Sequence, residues 1–409
     1  MHHTSWQQAR QLLHQAGATL ARTDEEVPLA QEAIGRTLSK DACALLPVPH
    51  YDSSAMDGYA TAGAPPWQLL THPPAAEGEN IHQRVLPLAP GQATPVLTGG
   101  LIPPGTDAVL RQEHALVDGS TLSPDPKVFG QGYPTPGADI RRAGEELAAG
   151  SSVLPAGTPI TARHLGALAT LGLDTLTVTA RPTVAIAYTG NEIITSGLPG
   201  PGQVRDAYSM VFPHIIENLG ASVSSVRRLP DSKTQLIDWL TTTGSDLLLI
   251  TGGSSTSTAD WVRRALADLD ANYLFESVAI RPGHPALAAR LPASSNPATP
   301  LVLGLPGNPL AAYTALYSYL LPWLTGATGA PLAELAEGVL THPVPGYRKE
   351  DLRLIPALLT PTAEGKALIP LPKTQSHMLT SFATADALAL VPPQGAAAGS
   401  TVRYLLLPS

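Results

Sequence analysis

The chain has 409 residues, which at about 150 residues per domain corresponds to roughly two to four domains. Hydrophobic residues make up 44% of it and charged residues 14%, so it can form packed cores. The net charge of -8 argues against a broad nucleic-acid-binding surface. The single cysteine, Cys43, excludes an internal disulfide framework and a cysteine-rich metal site, and it fits a reducing cytoplasm best.

The first segment and a later one predict helices. Ser5 is a suitable cap for a helix that runs to about Leu20, and the following EEVPLAQEAIGRTL predicts a short strand and another helix. Thr161 is a suitable cap for a helix in ITARHLGALATLGL. We therefore predict a helical or linking domain made of residues 1–44 and 139–180.

Two other regions predict β structure. In residues 45–138, Pro and Gly recur every few positions and short alternating pieces such as QRVLPLA appear, while helical periodicity is scarce. This pattern predicts a β-rich domain inserted between the two helical pieces. Residues 326–409 also alternate without a long helical pattern, and they predict a C-terminal β domain.

Residues 181–325 alternate between apolar strands and helices. The strand patterns are TVAIAYTG, ASVSSVRRL, LLLITGG and LVLGLPGNP. Strands that alternate with helices indicate a parallel sheet covered on both faces, where ligands collect at the carboxyl ends of the strands. The fold class predicted for the whole chain is therefore α/β multidomain.

The stretch from Leu291 to Ala333 contains no charged residue. Pro306, Gly307, Asn308 and Pro309 interrupt it, and we predict a helix of about 15 residues after them, shorter than the ~20 residues that span a bilayer. We expect a buried helix and no transmembrane segment.

Three loops of the α/β region leave a strand and enter a helix: residues 189–192, 252–258 and 306–309. Glycines let backbone N–H groups approach a ligand, and helix N-termini favour negative charge. The nucleotide type cannot be inferred, because neither the Walker pattern nor a complete GxGxxG is present. Each loop alone is better explained as an ordinary turn and N-cap, whereas the three together favour an anion-binding crevice.

Four carboxylates lie beside Gly, Ser or Thr in predicted loops: Asp57, Glu192, Asp206 and Asp260. Loop carboxylates near a phosphate site suit Mg²⁺, which usually keeps several waters and bridges to substrate phosphate. The alternative is that each one only caps a helix or forms a turn.

The 12 histidines show no HExxH or similar spacing, which argues against a catalytic zinc. RPGHP places Arg281 and His284 in a Pro/Gly loop, where they either contact an anion or belong to a solvated turn. A GxSxG nucleophile motif is absent and Cys43 has no recognisable histidine partner, so covalent catalysis has little support.

Eight motifs in order resemble the molybdopterin molybdenumtransferase family, to which bacterial MoeA and the E domain of gephyrin belong. They are PVPHYDSSAMDGYA, LTGGLIPPGTDAVLRQE, RRAGEEL, YTGNEI, GQVRDAY, LITGGSSTSTAD, IRPGHP and GLPGNP. The resemblance covers nearly the whole chain. It implies an elongated homodimer of four-part subunits, in which the molybdopterin-binding-like α/β part faces the β-rich part of the partner.

The resemblance also implies an activity and a set of site residues. Enzymes of this family take adenylylated molybdopterin, molybdate and Mg²⁺, insert the metal into the dithiolene and release AMP. By motif position, the catalytic residues are Asp57, Thr98, Glu192 and Asp206, and the metal ligands are Asp57, Glu192, Asp206 and Asp260. The residues that bind the pterin nucleotide are Gly252, Gly253, Ser255, Asp260, Arg281, His284, Pro306, Gly307, Asn308 and Ser376.

The chain departs from the family pattern at several site positions. The family's DSN is Asp206-Ala207-Tyr208 here, and its two loop lysines are Arg281 and His284. The family's SVG is Ser255-Thr256-Ser257, and its GED carboxylate is Glu146. A side chain at position 257 and a mostly neutral histidine weaken anion binding.

Two functions follow from the sequence. The first is molybdenum insertion in molybdenum-cofactor biosynthesis. The alternative is a gephyrin-like scaffold that binds a peptide of a tubulin-like cell-division protein and a membrane receptor. The altered loops motivate the scaffold, as do Tyr313, Tyr317, Tyr319 and Trp323, which could line a dimer face or a peptide pocket; the other interpretation of these aromatic residues is core packing.

Overall fold

The structure is a computed structural model, and it describes residues 3–21, 23–70, 80, 82, 85–252, 261–347, 351–363 and 365–408. The described chain divides into two compact units, Asp24–Val178 and a discontinuous unit made of Met1–Thr23 and Thr179–Ser409. We call them the inserted unit and the discontinuous unit. Each is described by itself.

The first helix of the discontinuous unit, α1 (Trp6–Ala18), confirms the predicted N-terminal helix. The hydroxyl oxygen of Ser5 accepts a hydrogen bond from the backbone N–H of Gln8 at 3.2 Å, as an N-cap residue does. Trp6, Ala9 and Leu13 lie buried on one face of this helix.

The inserted unit is built mainly from short strands. In chain order they are β1 (Asp24–Pro28), β2 (Ala42–Cys43), β3 (Ser53–Ser54), β4 (Gly58–Thr61), β5 (Trp67–Leu69), β6 (Gln92–Val96), β7 (Ala108–Arg111), β8 (Ala115–Asp118), β9 (Thr121–Pro124), β10 (Ile140–Arg141), β11 (Ser152–Leu154) and β12 (Thr175–Thr179). A sheet with the order β7-β4-β6-β5-β9-β8 lies in the region predicted as the inserted β-rich domain. Smaller ladders pair β1 with β12, β2 with β11 and β3 with β10.

The inserted unit also contains α2 (Pro126–Phe129) and α3 (Ala162–Thr170). Helix α3 confirms the prediction, because Thr161 caps it through a capping box with His164. The short strand predicted in EEVPLAQEAIGRTL is confirmed by β1, but the helix predicted after it is wrong: a single 3₁₀ turn, Gln31–Ala33, forms there instead. Ala30 before the turn has no capping side chain, and Gly35 after it takes a positive φ of 78°.

The remainder of the discontinuous unit continues the numbering. Its strands are β13 (Thr183–Tyr188), β14 (Ile193–Ile194), β15 (Val204–Arg205), β16 (Ser222–Arg228), β17 (Leu247–Thr251), β18 (Asn272–Phe275), β19 (Ile280–Arg281), β20 (Leu287–Arg290), β21 (Leu301–Leu305), β22 (Ala336–Leu340), β23 (Val344–Pro345), β24 (Leu352–Thr362), β25 (Gly365–Pro370), β26 (Ala387–Val391), β27 (Gly395–Ala396) and β28 (Thr401–Leu406). Its further helices are α4 (Phe212–Asn218), α5 (Lys233–Thr242), α6 (Trp261–Asp268) and α7 (Pro309–Thr328).

The predicted parallel sheet has the order β16-β13-β17-β21-β20-β18. Strands β16, β13, β17 and β21 run parallel, and β20 and β18 extend the sheet in antiparallel fashion. Alternate residues of β13 face opposite hydrophobic cores: Val184 and Ile186 belong to one, Ala185 and Ala187 to the other. Apolar packing on both faces explains why these strands are nearly continuous apolar runs.

The C-terminal β domain closes on itself. Strands β24, β25, β22, β28 and β26 pair in that order, and β26 pairs back with β24. Strand β19 adds to this sheet by pairing with β24. The closed β structure agrees with the β domain predicted for residues 326–409.

Helix α7 is longer than predicted. It spans 20 residues instead of about 15 and continues through Pro322. A proline inside a helix costs about 3 kcal/mol, and burial of Trp323 and Leu324 beyond it offsets that cost. Among the described residues, no helix is both long and apolar enough to cross a bilayer.

Helices α1 and α7 pack unusually close together. A Cβ atom on Gly17 would lie 2.0 Å from the carbonyl oxygen of Trp323, and one on Gly326 would lie 2.0 Å from the carbonyl oxygen of His14. Both positions therefore require glycine. The core-packing interpretation of four aromatic residues is confirmed, because each is 6% exposed or less in the hydrophobic core and none lines a peptide pocket: Tyr313, Tyr317, Tyr319 and Trp323.

Candidate functional site

The parallel strands end together at one edge of the sheet. Tyr188, Thr251 and Leu305 are register partners at the ends of β13, β17 and β21. The loops that follow begin at Thr189, Gly252 and Pro306, so the sheet brings the three predicted glycine-containing loops side by side.

Gly252 sits where only glycine fits. Its φ is +84°, and a Cβ there would lie 2.7 Å from the hydroxyl oxygen of Thr189. Its backbone N–H donates to the carbonyl oxygen of Leu305 at 3.1 Å. Gly252, the first residue after β17, is therefore held against the ends of both neighbouring strands.

A cavity of about 1000 Å³ opens at this edge, inside the discontinuous unit. Its walls come from the strand-end loops, from the loop 204–208 and from the C-terminal β domain. The charged side chains on the described part of the wall are Arg205, Arg228, Arg281 and Arg353 against Glu192 and Asp206. In a chain of net charge -8 this local excess of positive charge suits an anionic ligand.

The side chain of Asp206 is 5% exposed, and both of its carboxylate oxygens accept hydrogen bonds. Its carboxylate accepts hydrogen bonds from the Ser209 hydroxyl at 2.6 Å and from the backbone N–H groups of Tyr208 and Ser209 at 2.8 and 3.0 Å. It also forms an ion pair with Arg228. Burial opposes ionisation, but the bonds from Ser209 and Tyr208 and the charge of Arg228 outweigh it and lower the pKa of Asp206.

Glu192 provides an exposed carboxylate on the cavity wall, and no hydrogen bond joins it to any described side chain. The described residues contain no group of three or more His, Cys, Asp or Glu that could hold a metal ion. Mg²⁺ needs only one or two protein carboxylates when waters and substrate phosphate complete its shell. Glu192 fits that role, whereas Asp206 is already paired with Arg228.

Arg281 and His284 take different places, although the motif puts them together. Arg281 lies on the cavity wall, where its Nε donates to the buried carboxylate of Asp351 at 2.9 Å. His284 is not among the lining residues; its Nδ1 lies 2.8 Å from the carbonyl oxygen of Val278. Burial, together with the charge of Arg281, lowers the pKa of His284 and keeps the ring neutral at pH 7.

Pro306, Gly307 and Asn308 line the cavity, and Ser376 of the C-terminal domain joins them. The side-chain amide of Asn308 donates to the hydroxyl oxygen of Ser376 at 3.1 Å. The hydroxyl of Tyr208 donates to the carbonyl oxygen of Gly307 at 2.6 Å. Two loops that are distant in sequence are thereby tied to the loop after β21.

Asp57 and Thr98 belong to the inserted unit and lie next to each other at its surface. One carboxylate oxygen of Asp57 accepts from the backbone N–H and from the hydroxyl of Thr98. These two bonds, the backbone one first, lower the pKa of Asp57. The Asp57 carboxylate is therefore ionised at neutral pH, and Thr98 holds it in place.

Some predicted site residues lie outside the described residues. They are Gly253, Ser255 and Asp260, together with the departing position Ser257.

The cavity also contains residues that the sequence reasoning missed, among them Tyr188, Arg228 and Arg353. Tyr188 is the last residue of an apolar strand, directly before TGNE, and that position alone could have marked it. Arg228 ends the strand β16 and Arg353 lies within β24, where nothing in the local pattern distinguishes them from surface arginines.

Comparison with known proteins agrees with this architecture along most of the chain. Residues 4–172 match the MoeA N-terminal region (domain I and II), residues 185–326 match the probable molybdopterin binding domain, and residues 347–407 match the MoeA C-terminal region (domain IV). The cavity lies largely within the second of these matches, at its strand ends.

Individual relatives support the same assignment. The chain is 32% identical over 405 residues to the molybdopterin molybdenumtransferase of Synechococcus elongatus, covering 95% of each protein. It is 32% identical over 310 residues to the enzyme of that name from Nostoc sp., covering 74% of this chain and 69% of the relative. A solved MoeA protein from Pyrococcus horikoshii shares the fold, with a TM-score of 0.75, 23% identity and full coverage of both chains. The chain thus belongs to the molybdopterin molybdenumtransferase (MoeA) family.

Proposed function

We propose that this chain inserts molybdenum into adenylylated molybdopterin, with Mg²⁺, and releases AMP. The observation that carries the proposal is the cavity at the strand ends, where four arginines face two carboxylates among the described residues. Both substrates are anions, and a fixed excess of positive charge attracts them and orients them for reaction.

Different residues of the cavity wall would attract the anions, position the loops and hold Mg²⁺. Arg205 and Arg353 add positive charge, and Arg353 is held by a 2.6 Å bond from its guanidinium to the carbonyl oxygen of Pro345. The Asn308–Ser376 bond positions the loop after β21. Glu192 would hold Mg²⁺. When bound, the ion would supply positive charge to the phosphoryl oxygens that join AMP to molybdopterin.

The experiment is a turnover assay with purified protein, adenylylated molybdopterin, molybdate and Mg²⁺, in which AMP release and cofactor formation are both measured. We expect turnover by the parent and a loss of at least about tenfold for Glu192→Gln, which keeps the shape but removes the charge. Glu217→Gln, at an exposed position of α4, is the matched control and should match the parent. A parent that releases no AMP, or a Glu192→Gln variant as active as the parent, would refute the proposal.

We also propose, from the family resemblance, that the protein acts in the cytoplasm as a homodimer whose active site combines Asp57 and Thr98 of one subunit with Glu192 of the other. Mixing two inactive variants, Asp57→Ala and Glu192→Gln, tests this arrangement. A shared site predicts that unfolding and refolding the mixture restores AMP release, because a heterodimer then contains one intact site. No recovery, despite measured heterodimers, would show that each subunit carries its own complete site.

The aromatic residues that motivated the scaffold alternative give it no support. Tyr313, Tyr317, Tyr319 and Trp323 form core, so they do not offer a groove to a peptide. Binding of a tubulin-like protein or a membrane receptor stays a prediction from the resemblance, and a pull-down with full-length protein tests it.

A further inference from the structure

One of the residues that line the cavity, Tyr188, has a hydroxyl without a hydrogen-bond partner among the described residues. The residue is 2% exposed, and its hydroxyl is buried. Burial, with the nearby charge of Asp206, raises the pKa of Tyr188, so the hydroxyl keeps its proton at neutral pH. A buried donor without an acceptor is destabilising by about 1–3 kcal/mol, and such a group in a ligand cavity points to an acceptor on the ligand.

Arg228 lies beside Tyr188. The two residues are register partners on the neighbouring parallel strands β16 and β13. The guanidinium carbon of Arg228 lies 5.8 Å from the centroid of the Tyr188 ring, within the range of a cation–π contact. The sheet itself therefore fixes the distance between these two side chains.

Arg228 has hydrogen-bond donors that its pairing with Asp206 does not use. Its Nη2 pairs with Asp206, while a guanidinium carries five N–H donors in a rigid fork. The side chain is 33% exposed and lies on the cavity wall, so the rest of the fork is accessible to a ligand. Asp206 brings no free acceptor, because Ser209, Tyr208 and Arg228 already bond to it.

The charges beside Tyr188 favour an anion over a cation. Arg228 neutralises Asp206, and Arg205 on the same wall adds a further positive charge. A metal ion would have to displace Arg228 to reach Asp206. An oxyanion instead meets a guanidinium and a phenol that both donate.

We propose that Tyr188 and Arg228 form an oxyanion-binding corner of the cavity, which takes a tetrahedral oxyanion of the substrate by direct hydrogen bonds. The inference rests on the proposed function, in which the substrates supply two such groups: molybdate and the phosphate of the adenylylated pterin. Arg228 is then a specificity-determining residue outside the eight motifs, and Tyr188 is one at the first position of YTGNEI, to which the resemblance assigns no role.

Isothermal titration calorimetry with two probes, molybdate and AMP, tests the corner and identifies the group it holds. The variants are Arg228→Met, Arg228→Lys and Tyr188→Phe. We expect Arg228→Met to weaken one probe at least about tenfold, Tyr188→Phe to weaken the same probe about three- to tenfold, and Arg228→Lys to fall between parent and Arg228→Met. Arg227→Met is the matched control, since Arg227 is the next residue on β16 and lines a different cavity.

Loss confined to molybdate assigns the corner to molybdate, and loss confined to AMP assigns it to the nucleotide phosphate; either supports the proposal. Unchanged affinity for both probes in Arg228→Met and Tyr188→Phe, or an equal loss in Arg227→Met, overturns it. Circular dichroism and the melting temperature of each variant show whether it is folded, and Tyr188→Phe removes one oxygen atom only. A parent without turnover whose Arg228→Met variant still loses oxyanion affinity would support the corner and refute the proposed function. A parent with turnover whose Arg228→Met and Tyr188→Phe variants bind both probes as tightly as the parent would support the proposed function and refute the corner.

Discussion

The carboxylate of Asp57 accepts two hydrogen bonds on one oxygen from a single residue, Thr98: the backbone N–H at 2.7 Å and the hydroxyl at 2.8 Å. Thr98→Val removes the second bond and keeps the first. We expect the pKa of Asp57 to rise toward its ordinary value, because the ionised form loses a donor. NMR titration of the Asp57 carboxyl carbon measures the change.

The matched control for that change is Thr106→Val. Its hydroxyl donates to the carbonyl oxygen of Pro103 at 2.7 Å, in the same unit but away from Asp57. A titration of Asp57 that is the same in both variants would contradict the assignment of its low pKa to Thr98.

Asp206→Asn is expected to lower the free energy of unfolding at pH 7 by about 1.5–3 kcal/mol, since the charged hydrogen bonds from Ser209 and Tyr208 weaken and Arg228 loses its partner. The pKa of Asp206 is lower in the folded protein than in the unfolded chain. The stabilisation is therefore present above about pH 3.9 and is lost as the pH falls through the folded pKa.

Urea denaturation of parent and Asp206→Asn between pH 7 and pH 3 should show a difference that shrinks toward the acid end. Asp238→Asn is the control, because Asp238 is exposed on α5 and makes the same change in net charge. A difference between parent and Asp206→Asn that does not depend on pH would show that the carboxylate charge is not what stabilises this site.

Tyr208→Phe removes the hydroxyl that donates to the carbonyl oxygen of Gly307. Loss of one such bond corresponds to about 1 kcal/mol, so we expect the dissociation constant for AMP to rise about fivefold as the loop after β21 loses its restraint. Calorimetry measures it. Tyr317→Phe, whose hydroxyl makes no hydrogen bond to a described residue, should bind AMP as the parent does; equal weakening in both variants would point to a general effect on the aromatic core.

Much of the fold follows from local patterns. Apolar strands that alternate with helices predicted the parallel sheet, and glycines after three strands predicted the sheet edge at which the cavity opens. The helix expected before Arg36 did not form, because no capping side chain supports it and Gly35 turns the chain. The extra length of α7 could not be predicted, because it depends on burial of Trp323 beyond Pro322, which is a tertiary effect.

The site was predictable only where residues follow a strand directly. Arg227 and Arg228 are neighbours of the same residue type, and the sequence does not show which one faces the cavity. Strand alternation does not decide it, because the pairing of β16 with β13 shifts register between Val184 and Ala185. Similarly, Asp206 looked like a free loop carboxylate, and only the three-dimensional structure shows that Arg228 already pairs with it.

Gly17→Ala and Gly326→Ala are expected to destabilise the protein by about 1–3 kcal/mol or more each, because the added methyl groups would collide with carbonyl oxygens across the α1–α7 contact. Gly166→Ala in α3 is the matched control: it also replaces a helical glycine, but its Cβ meets open space, so we expect a gain of up to about 1 kcal/mol. Thermal unfolding distinguishes the two cases. A melting temperature unchanged by Gly17→Ala would show that the helices can separate at little cost.

Because α1 packs against α7, the discontinuous unit can finish folding only after α7 has been synthesised. The segment that holds α1 emerges before its partner, which is synthesised about 300 residues later, after the whole of the inserted unit. Chains grow at about 5–20 residues per second, so α1 waits on the order of tens of seconds with Trp6 and Leu13 uncovered. The inserted unit is continuous in sequence and can complete its own fold during that interval, whereas the unit that contains the cavity must wait for α7 and the strands that follow it.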